Sequence, residues 1–178
     1  SAFRQQWPCS WTRRTNKRHG SHSSRLKPLT PARSGQAQVL TASDLYRLEA
    51  LYSEGTGPSL TFLAELLRRP HGYAWFIAEE GVALAVVWFS LALDEVEVID
   101  IRVAHTHRRQ GLGERLLQES LAALSARSVF LEVRRTNSPA VAMYEKIGFL
   151  NVGVRHNYYQ VLSGREDAVI MRLELGVE

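Results

Sequence analysis

From residue 38 onward, hydrophobic and polar positions recur with periods that predict short secondary-structure elements. Residues 39–40 end a brief strand, and residues 41–44, Thr-Ala-Ser-Asp, are typical of a capping box at a helix start. A first helix follows, residues 54–58 break it, and a second helix ends before Pro70. Together these two helices carry the apolar positions Leu45, Leu48, Leu51, Tyr52, Leu60, Leu63, Leu66 and Leu67.

Three apolar segments after Pro70 predict strands. Residues 73–78 and 82–93 flank the turn-forming sequence Glu79-Glu80-Gly81, and residues 95–103 follow a turn at Leu93-Asp94. Because the connections are so short, we expect the three strands to form an antiparallel meander.

The alternation changes within the third of these strands. Val96 and Val98 share one parity, whereas Ile99, Ile101 and Val103 share the other. One extra residue near 98–99 would explain the change as a β-bulge, which is common beside active sites. A strand buried on both faces would produce the same pattern without a bulge, so the pattern alone leaves both interpretations open.

A polar loop connects this strand to the next helix. It reads His105-Thr106-His107-Arg108-Arg109-Gln110-Gly111-Leu112-Gly113. Glycines allow a ligand to approach the backbone, and a helix N-terminus attracts anions, so the loop is a candidate pyrophosphate site. No Gly-Lys-Ser/Thr follows, which excludes a Walker motif, and Leu116 stands where a dinucleotide-binding fingerprint has its third glycine. The helix has an apolar face formed by Leu112, Leu116, Leu117, Leu121 and Leu124.

The last clearly patterned region is a strand, a turn and a helix. Residues 129–133 predict a strand, and residues 140–147 predict a helix. Ser138 is the expected N-cap, Pro139 the first helical residue and Gly148 the C-terminal stop.

Composition limits the classes of protein that fit. The chain has 178 residues, of which 45% are hydrophobic, so we expect one domain with its own core. The longest uncharged apolar stretch, 81–93, has 13 residues and is too short to cross a bilayer. Cys9 is the single cysteine, which excludes an intramolecular disulfide and favours a reducing compartment.

Charge divides the chain into a leader and a body. Residues 1–38 hold eight Lys and Arg and no acid, whereas the rest holds 14 basic and 18 acidic residues. We therefore predict a basic, disordered leader at 1–37 and a domain at 38–178. Composition leaves open whether the leader is a phosphate-binding arm, a transit peptide or an extension without a role.

Three spaced motifs resemble the GNAT superfamily of acetyl-CoA-dependent N-acetyltransferases. They are Arg108-x-x-Gly111-x-Gly113, Leu131-Glu132-Val133-Arg134-x-x-Asn137-x-x-Ala140 and Tyr144-x-x-x-Gly148-Phe149. The run Arg155-His156-Asn157-Tyr158-Tyr159 and residues 164–171 are similar to the RimI-type branch, which acetylates the N-terminal alanine of the eighteenth small-subunit ribosomal protein. The resemblance covers about residues 38–175.

The resemblance implies an α/β fold: a mixed, mostly antiparallel twisted sheet flanked by helices, with a splayed central strand pair. It also implies that acetyl-CoA binds where the two strands separate. The implied contacts are Ile101, Arg102 and Val103 on the strand, Arg108, Arg109, Gln110, Gly111, Leu112, Gly113 and Glu114 around the pyrophosphate, and Asn137 from its side chain. Without the resemblance, Asn137 would be interpreted as a turn residue that bonds to nearby backbone.

Two catalytic residues follow from the same resemblance. Glu132 matches the general base, directly or through water, which deprotonates an α-amino group of pKa about 7.7–8.0. Tyr144 matches the general acid, which protonates the leaving thiolate. Asp100, Glu97 and Glu95 are alternative bases on the preceding strand. Without the motifs, a strand-end Glu would be a solvated charge and Tyr144 a core residue.

The acceptor side departs from the RimI-type pattern. That branch carries an apolar-Pro-Trp segment between the first two helices, whereas this chain has Gly55-Thr56-Gly57-Pro58-Ser59. Arg134, Tyr158 and Tyr159 match the rest of the peptide site, although the two tyrosines would also suit an ordinary edge strand. We therefore expect direct acetyl transfer to a protein N-terminus, the alanine of a ribosomal protein, in the cytoplasm.

Other partners and functions remain as alternatives. The acceptor could be another N-terminus, a lysine or a small amine, and a non-enzymatic alternative is a ribosome- or nucleic-acid-binding module that uses the basic leader. No membrane partner and no metal are expected. His105 and His107 lie one residue apart without a suitably spaced third ligand.

Overall fold

The computed structural model describes residues 35–53, 57–161 and 164–176. Within them a seven-stranded sheet has the order β1-β2-β3-β4-β5-β7-β6. The strands are β1 (Gln38–Val39), β2 (Gly72–Glu79), β3 (Val82–Ala92), β4 (Glu95–Val103), β5 (Ser128–Arg134), β6 (Leu150–Val161) and β7 (Gly164–Glu174).

Helices cover both faces of this sheet. A 3-10 helix spans Ala42–Tyr52, a short one spans His105–His107, and the α-helices are α1 (Leu60–Leu67), α2 (Leu112–Ala123) and α3 (Ser138–Ile147). None of the described helices is long and apolar enough to cross a membrane. The predicted 1–37 leader lies outside the described residues up to residue 34; of the remainder, Ala37 donates its N–H to Glu119 Oε2 on α2 at 2.8 Å.

Strand pairing confirms the predicted fold class. The meander β2-β3-β4 is antiparallel, as are β1-β2, β5-β7 and β6-β7. Strands β4 and β5 are parallel, and their connection runs through α2. The sheet is therefore mixed and mostly antiparallel.

Two apolar clusters lie on opposite faces of the sheet. On one face, α2 and α3 pack on the sheet, and the leucines predicted for the buried side of α2 are at most 5% exposed, except Leu112, which is partly buried. On the other face, the 3-10 helix and α1 cover β1–β4 through Leu48 and Leu63, which pack with Phe76 and Trp88. Among the described residues, the apolar cluster on this second face includes none from β5, β7 or β6.

Local signals at the helix ends are largely confirmed. At the first helix, the N–H of Thr41 donates to Asp44 Oδ2 at 3.1 Å, as a capping box requires, although the helix is 3-10 rather than α. Gly148 ends α3 with φ 111°, a conformation that favours glycine. The prediction of Ser138 as N-cap is wrong: Asn137 is the cap, and Ser138 is already helical, because the Asn137 side chain accepts from the N–H of Ala140.

The bulge in β4 is confirmed, and the alternative of an unbulged strand is wrong. Trp88 pairs with Asp100 and Phe89 with Val98, which leaves Ile99 as the extra residue. Strand β4 pairs with β5 only from Glu95 to Val98. Beyond this point the two strands are unpaired, so the splay begins at the bulge.

Candidate active site

The site lies in the gap that opens between β4 and β5. Leu131 is the last residue of β5 paired with β4, and Glu132 is the next one. Asp100 is the first residue of β4 beyond the bulge. Asp100 pairs with Trp88, and Glu132 follows the core-facing Leu131, so both carboxylates face away from α2 and α3. The two carboxylates therefore lie where β4 and β5 begin to separate, Asp100 on β4 and Glu132 on β5.

The loop before α2 presents backbone donors beside this gap. Among the described residues, none accepts a hydrogen bond from the backbone N–H groups of residues 109–114. Arg109 and Gly111 have φ values of 62° and 75°, which bend the loop just before the helix begins. Successive free N–H groups at a helix N-terminus form a site for an anion such as a pyrophosphate.

Close packing fixes the start of α2 against the sheet. A Cβ added at Gly113 would lie 3.2 Å from Val103 Cγ2 and 3.4 Å from Met143 Sδ. A larger residue would therefore push the helix away from β4 and α3. Gly113 has a packing role, whereas Gly111 has a conformational one, because an added Cβ there would meet no described atom within 4 Å.

Several side chains of this loop stabilise the loop itself. Arg108 Nε donates to the Val103 carbonyl at 3.1 Å, and Gln110 Nε2 donates to the Thr106 carbonyl at 3.1 Å. Glu114 Oε2 accepts from Lys146 Nζ of α3 at 2.8 Å. Glu114 can thus offer an anion its backbone N–H, while its carboxylate is neutralised by the lysine.

Asn137 combines a structural role with a free donor group. Its Oδ1 accepts from the N–H of Ala140 at 3.4 Å, which is the local bonding expected without any ligand. The side-chain amide nitrogen is left to donate elsewhere. The cofactor contact implied for Asn137 therefore stays a prediction that this geometry permits.

Glu132 lies in a cluster of charged and phenolic groups. Its carboxylate forms an ion pair with Arg155, and its side chain is 17% exposed. Burial, together with a hydrogen bond to Glu132 and the charge of Glu132, raises the pKa of Tyr158. The pKa of Glu97 on β4 is also raised, first because Glu97 is partly removed from water and next because of the negative charge of Glu132.

A bulge in β6 between Arg155 and Tyr159 brings the two tyrosines of this strand to the site. Arg155 pairs with Ala168 but Tyr159 pairs with Glu166, so β6 has more residues than β7 in this interval. Asp167 holds the bulge, because its Oδ1 accepts from the Asn157 N–H at 2.9 Å while Asn157 has φ 55°. This bulge is a feature that the sequence analysis missed.

The tyrosines of β6 therefore lie side by side instead of on opposite faces. The Tyr158 and Tyr159 rings are 5.0 Å apart, edge to face. Tyr159 donates its hydroxyl to the Glu132 carbonyl at 3.1 Å, and the Arg134 guanidinium lies 5.0 Å from the Tyr159 ring centre. The structure thus groups Glu132 with all three predicted acceptor-side residues.

Tyr144 approaches the gap from the opposite face of the sheet. It is 5% exposed on α3, and its ring packs edge to face with Phe149 at 5.6 Å. Burial, then the charges of Asp100 and Tyr159, raise its pKa above the usual value near 10. The phenol is therefore protonated at neutral pH, as a proton donor must be.

The side chains of residues 100 and 102 turn toward the first helices. Arg102 Nε donates to Asp100 Oδ2 at 2.9 Å, and its guanidinium lies 3.9 Å from the Tyr52 ring centre. Arg102 was predicted to contact the cofactor, but its side chain is occupied here, so such a contact can come only from its backbone. Burial raises the pKa of Asp100, while Arg102 and Tyr52 act to lower it.

No three His, Cys, Asp or Glu side chains are grouped to hold a metal ion in the described part of the chain. Separately, an open groove of about 390 Å³ lies between α3 and strands β6 and β7, lined by residues such as Val141, Glu145 and Met171. It lies outside the gap between β4 and β5.

Comparisons with known proteins agree with this geometry. A family model described as the acetyltransferase (GNAT) family matches residues 40–149. Ribosomal protein bS18-alanine N-acetyltransferase of Escherichia coli (strain K12) is 38% identical over 104 residues, covering 57% of this chain and 70% of that protein.

Solved structures give the same result. The crystal structure of the ribosomal-protein-S18-alanine N-acetyltransferase from Escherichia coli superposes with a TM-score of 0.73 and 29% identity, covering 80% of this chain and 96% of that one. Arabidopsis thaliana NAA60 in complex with acetyl-CoA has a TM-score of 0.65 and 18% identity, covering 78% and 97%. At that identity, the second likeness shows the fold alone.

Proposed function

The chain belongs to the GNAT family of acetyltransferases, and from this premise we propose that it transfers acetyl from acetyl-CoA to the N-terminal amine of a protein. The observation that carries the proposal is the gap between β4 and β5. Unpartnered N–H groups lie beside it, Tyr144 lies on the face of the sheet that α2 and α3 cover, and Glu132 stands at the opening on the other face. A thioester donor and an amine acceptor can therefore meet within it from opposite faces.

The donor side is proposed to hold acetyl-CoA by its phosphates and its chain. The N–H groups of residues 109–114 bind the pyrophosphate, and Arg108 and Arg109 add positive charge. The backbone of residues 101–103, which pairs with β3 on one edge and not with β5 on the other, and the Asn137 amide bind the extended chain that leads into the gap. When bound, acetyl-CoA supplies the acetyl group as a thioester.

Glu132 is proposed to prepare the acceptor. It removes a proton from the ammonium, directly or through one water molecule, and so frees the nitrogen lone pair for attack on the acetyl carbonyl carbon. Arg155 holds the carboxylate in place as its ion-pair partner. Backbone N–H groups at the bulged strand stabilise the charge that develops on the carbonyl oxygen.

Tyr144 is proposed to complete the transfer. As the carbon–nitrogen bond forms and the carbon–sulfur bond breaks, the leaving thiolate takes the proton of the Tyr144 hydroxyl. The nitrogen loses its second proton as the amide forms, and this proton, relayed through water, restores the Tyr144 hydroxyl. The raised pKa of this phenol keeps the proton available at neutral pH. No covalent bond between acetyl and the enzyme is needed.

For the acceptor, we propose the N-terminal alanine of a ribosomal protein, with the reaction in the cytoplasm. Support comes from the substrate named for the Escherichia coli relative and from the grouping of Arg134, Tyr158 and Tyr159 around Glu132. An α-amine at a chain end enters such a narrow gap without bringing a bulky backbone on both sides.

The test is an acetylation assay by mass spectrometry. Short peptides that differ in their first residue, including one that starts Ala-Arg, are offered with acetyl-CoA beside free lysine and small polyamines. We expect acetyl on the α-amine of the alanine-start peptide, and loss of this product in Glu132→Gln. Turnover confined to side-chain or small-molecule amines would contradict the proposed acceptor, and no turnover on any amine despite acetyl-CoA binding would contradict the acceptor class.

A further inference from the structure

A buried chain of hydrogen bonds ends at Asp100, on the side of the gap opposite Glu132. Trp88 Nε1 donates to the Tyr52 hydroxyl oxygen at 2.8 Å, and that hydroxyl donates to Asp100 Oδ2 at 2.7 Å. An indole N–H can only donate, so the Tyr52 oxygen must accept from it. The direction of the chain is therefore fixed, and the Tyr52 proton points at Asp100.

Arg102 approaches the same oxygen of Asp100. Its Nε donates to Oδ2 at 2.9 Å, while its two terminal nitrogens donate to the carbonyls of Leu51 at 3.2 Å and Pro58 at 3.4 Å. A Cβ added at Gly57 would lie 3.0 Å from one of these nitrogens. Arg102 thus fastens the first helices to β4 while it orients the carboxylate.

Tyr52 and Arg102 both donate to Oδ2, which leaves Oδ1 of the same carboxylate available. No described residue donates a hydrogen bond to Asp100 Oδ1, and the side chain keeps 15% of its surface exposed. A carboxylate held through one oxygen presents the other one in a fixed direction. The hydrogen bonds from Tyr52 and Arg102 to Oδ2 therefore fix the direction in which Asp100 Oδ1 can accept a hydrogen bond.

Oδ1 lies on the side of Gly57, where an added Cβ would be 3.8 Å from it. The place of Asp100 on β4 matches the route of the acceptor. Asp100 stands immediately after the bulge on β4, and Glu132 stands immediately after the last paired residue of β5. Both face the side of the sheet that is opposite to α2 and α3. Burial is the main cause of the raised pKa of Tyr144 and of Tyr159, and the charge of Asp100 adds to it in both cases.

We propose that Asp100 binds the acceptor: its Oδ1 accepts a hydrogen bond from the α-amine and aims the nitrogen into the gap, while Tyr52 and Arg102 hold the carboxylate by Oδ2. This role rests on the proposed function, with Glu132 as the group that removes the proton. Asp100 is a substrate-binding residue, and Tyr52 and Arg102 are positioning residues. In this arrangement the substrate amine lies between the carboxylate of Asp100, which binds it, and the carboxylate of Glu132, which removes its proton.

Asp100→Asn gives a sharp test because the network dictates how the amide is oriented. Tyr52 and Arg102 both donate, so the amide oxygen must occupy the Oδ2 position and the NH₂ group replaces Oδ1. A donor then faces the donor of the substrate. We expect kcat/KM for the alanine-start peptide to fall by about 10- to 150-fold, mainly through KM, from the loss of one charge-assisted hydrogen bond.

The KM for acetyl-CoA and the pH dependence of kcat should remain those of the wild type. Asp94→Asn is the matched control, since Asp94 is an exposed aspartate in the turn before β4 and its carboxylate pairs, among the residues that the structure describes, with Arg127 alone. It should leave both KM values unchanged. Arg102→Lys keeps the charge but loses the planar fork, so we expect an intermediate rise in the peptide KM.

Three outcomes separate the possibilities. An unchanged peptide KM in Asp100→Asn, in an enzyme that still turns over, would overturn the binding role alone. Loss of kcat together with loss of the acidic limb of the pH profile would make Asp100 the base and would also overturn it. Failure of the wild-type enzyme to acetylate any peptide α-amine would overturn the proposed function first, and this role with it.

Discussion

The two sides of the gap are built in different ways. The donor side consists of six consecutive residues, 109–114, whose N–H groups lie together because a loop runs directly into a helix. On the acceptor side, the groups come from distant parts of the chain: Tyr52 meets Asp100 across 48 residues, and Tyr159 meets the Glu132 backbone across 27. A site for a backbone-bound anion is encoded locally, whereas a site for a particular amine depends on how the elements pack.

Both sides use backbone irregularity, but for different purposes. On the donor side, positive φ values at Arg109 and Gly111 expose N–H groups. On the acceptor side, bulges in β4 and β6 redirect side chains, so that Asp100 faces the first helices and Tyr158 lies beside Tyr159. This difference predicts that donor-side variants change acetyl-CoA binding alone and acceptor-side variants change peptide kinetics alone.

The largest effect is expected for Glu132→Gln. Removing the proton acceptor should lower kcat by about 10²- to 10⁴-fold, with little change in acetyl-CoA affinity. Steady-state kinetics and titration of acetyl-CoA measure the two quantities separately. Glu65→Gln, an exposed glutamate on α1, serves as the control. A weaker acetyl-CoA complex in Glu132→Gln would contradict the prediction that acceptor-side variants leave acetyl-CoA binding unchanged.

Tyr144→Phe should lower kcat by about 100-fold, because the leaving thiolate loses its proton donor. The raised pKa of Tyr144 predicts a further property of the wild type: the phenol stays protonated, so its titration causes no fall in kcat between pH 8 and pH 10. A pH–rate profile checks this point. In Tyr73→Phe, whose hydroxyl donates to the Pro70 carbonyl, kcat should not change; an equal loss in both variants would exclude a specific role.

On the donor side, Gly111→Ala should weaken acetyl-CoA binding by about 5- to 30-fold. Alanine at φ 75° is strained by about 1–2 kcal/mol, and the loop can relieve the strain by turning its N–H groups away. Gly81→Ala is a matched control, with φ 85° and equally open surroundings in the β2–β3 turn. It should lose stability without losing affinity. Equal affinities in the two variants would mean that the loop does not bind the donor.

The smallest effect is expected for Tyr159→Phe. One neutral hydrogen bond, from the Tyr159 hydroxyl to the Glu132 carbonyl, is worth about 0.5–1.5 kcal/mol. We therefore expect a rise of about 2- to 10-fold in the peptide KM and none in the acetyl-CoA KM. Tyr46→Phe, an exposed tyrosine of the first helix, is the control. A changed acetyl-CoA KM would show that the β6 tyrosines also serve the donor side.

The sequence by itself determined most of the framework. Alternating and helical periods predicted the meander, α2 and its buried leucines, because burial selects apolar residues at the period of each element. The change of parity in β4 indicated either a bulge near residues 98–99 or a strand buried on both faces, and the strand pairing decided for the bulge at Ile99. The glycine loop was equally predictable, because its geometry depends on consecutive residues.

Only the tertiary structure decided how the residues of the acceptor side are brought together. The β6 bulge gave no parity signal, because an edge strand that is open on one face accepts polar and aromatic residues at either parity. Nothing local in the sequence links Tyr52 or Trp88 to Asp100, since the sheet and the first helices bring them together. The N-cap of α3 is Asn137 rather than the predicted Ser138. Adjacent polar residues can both cap a helix, and the conformation of the backbone determines which of them accepts the hydrogen bond.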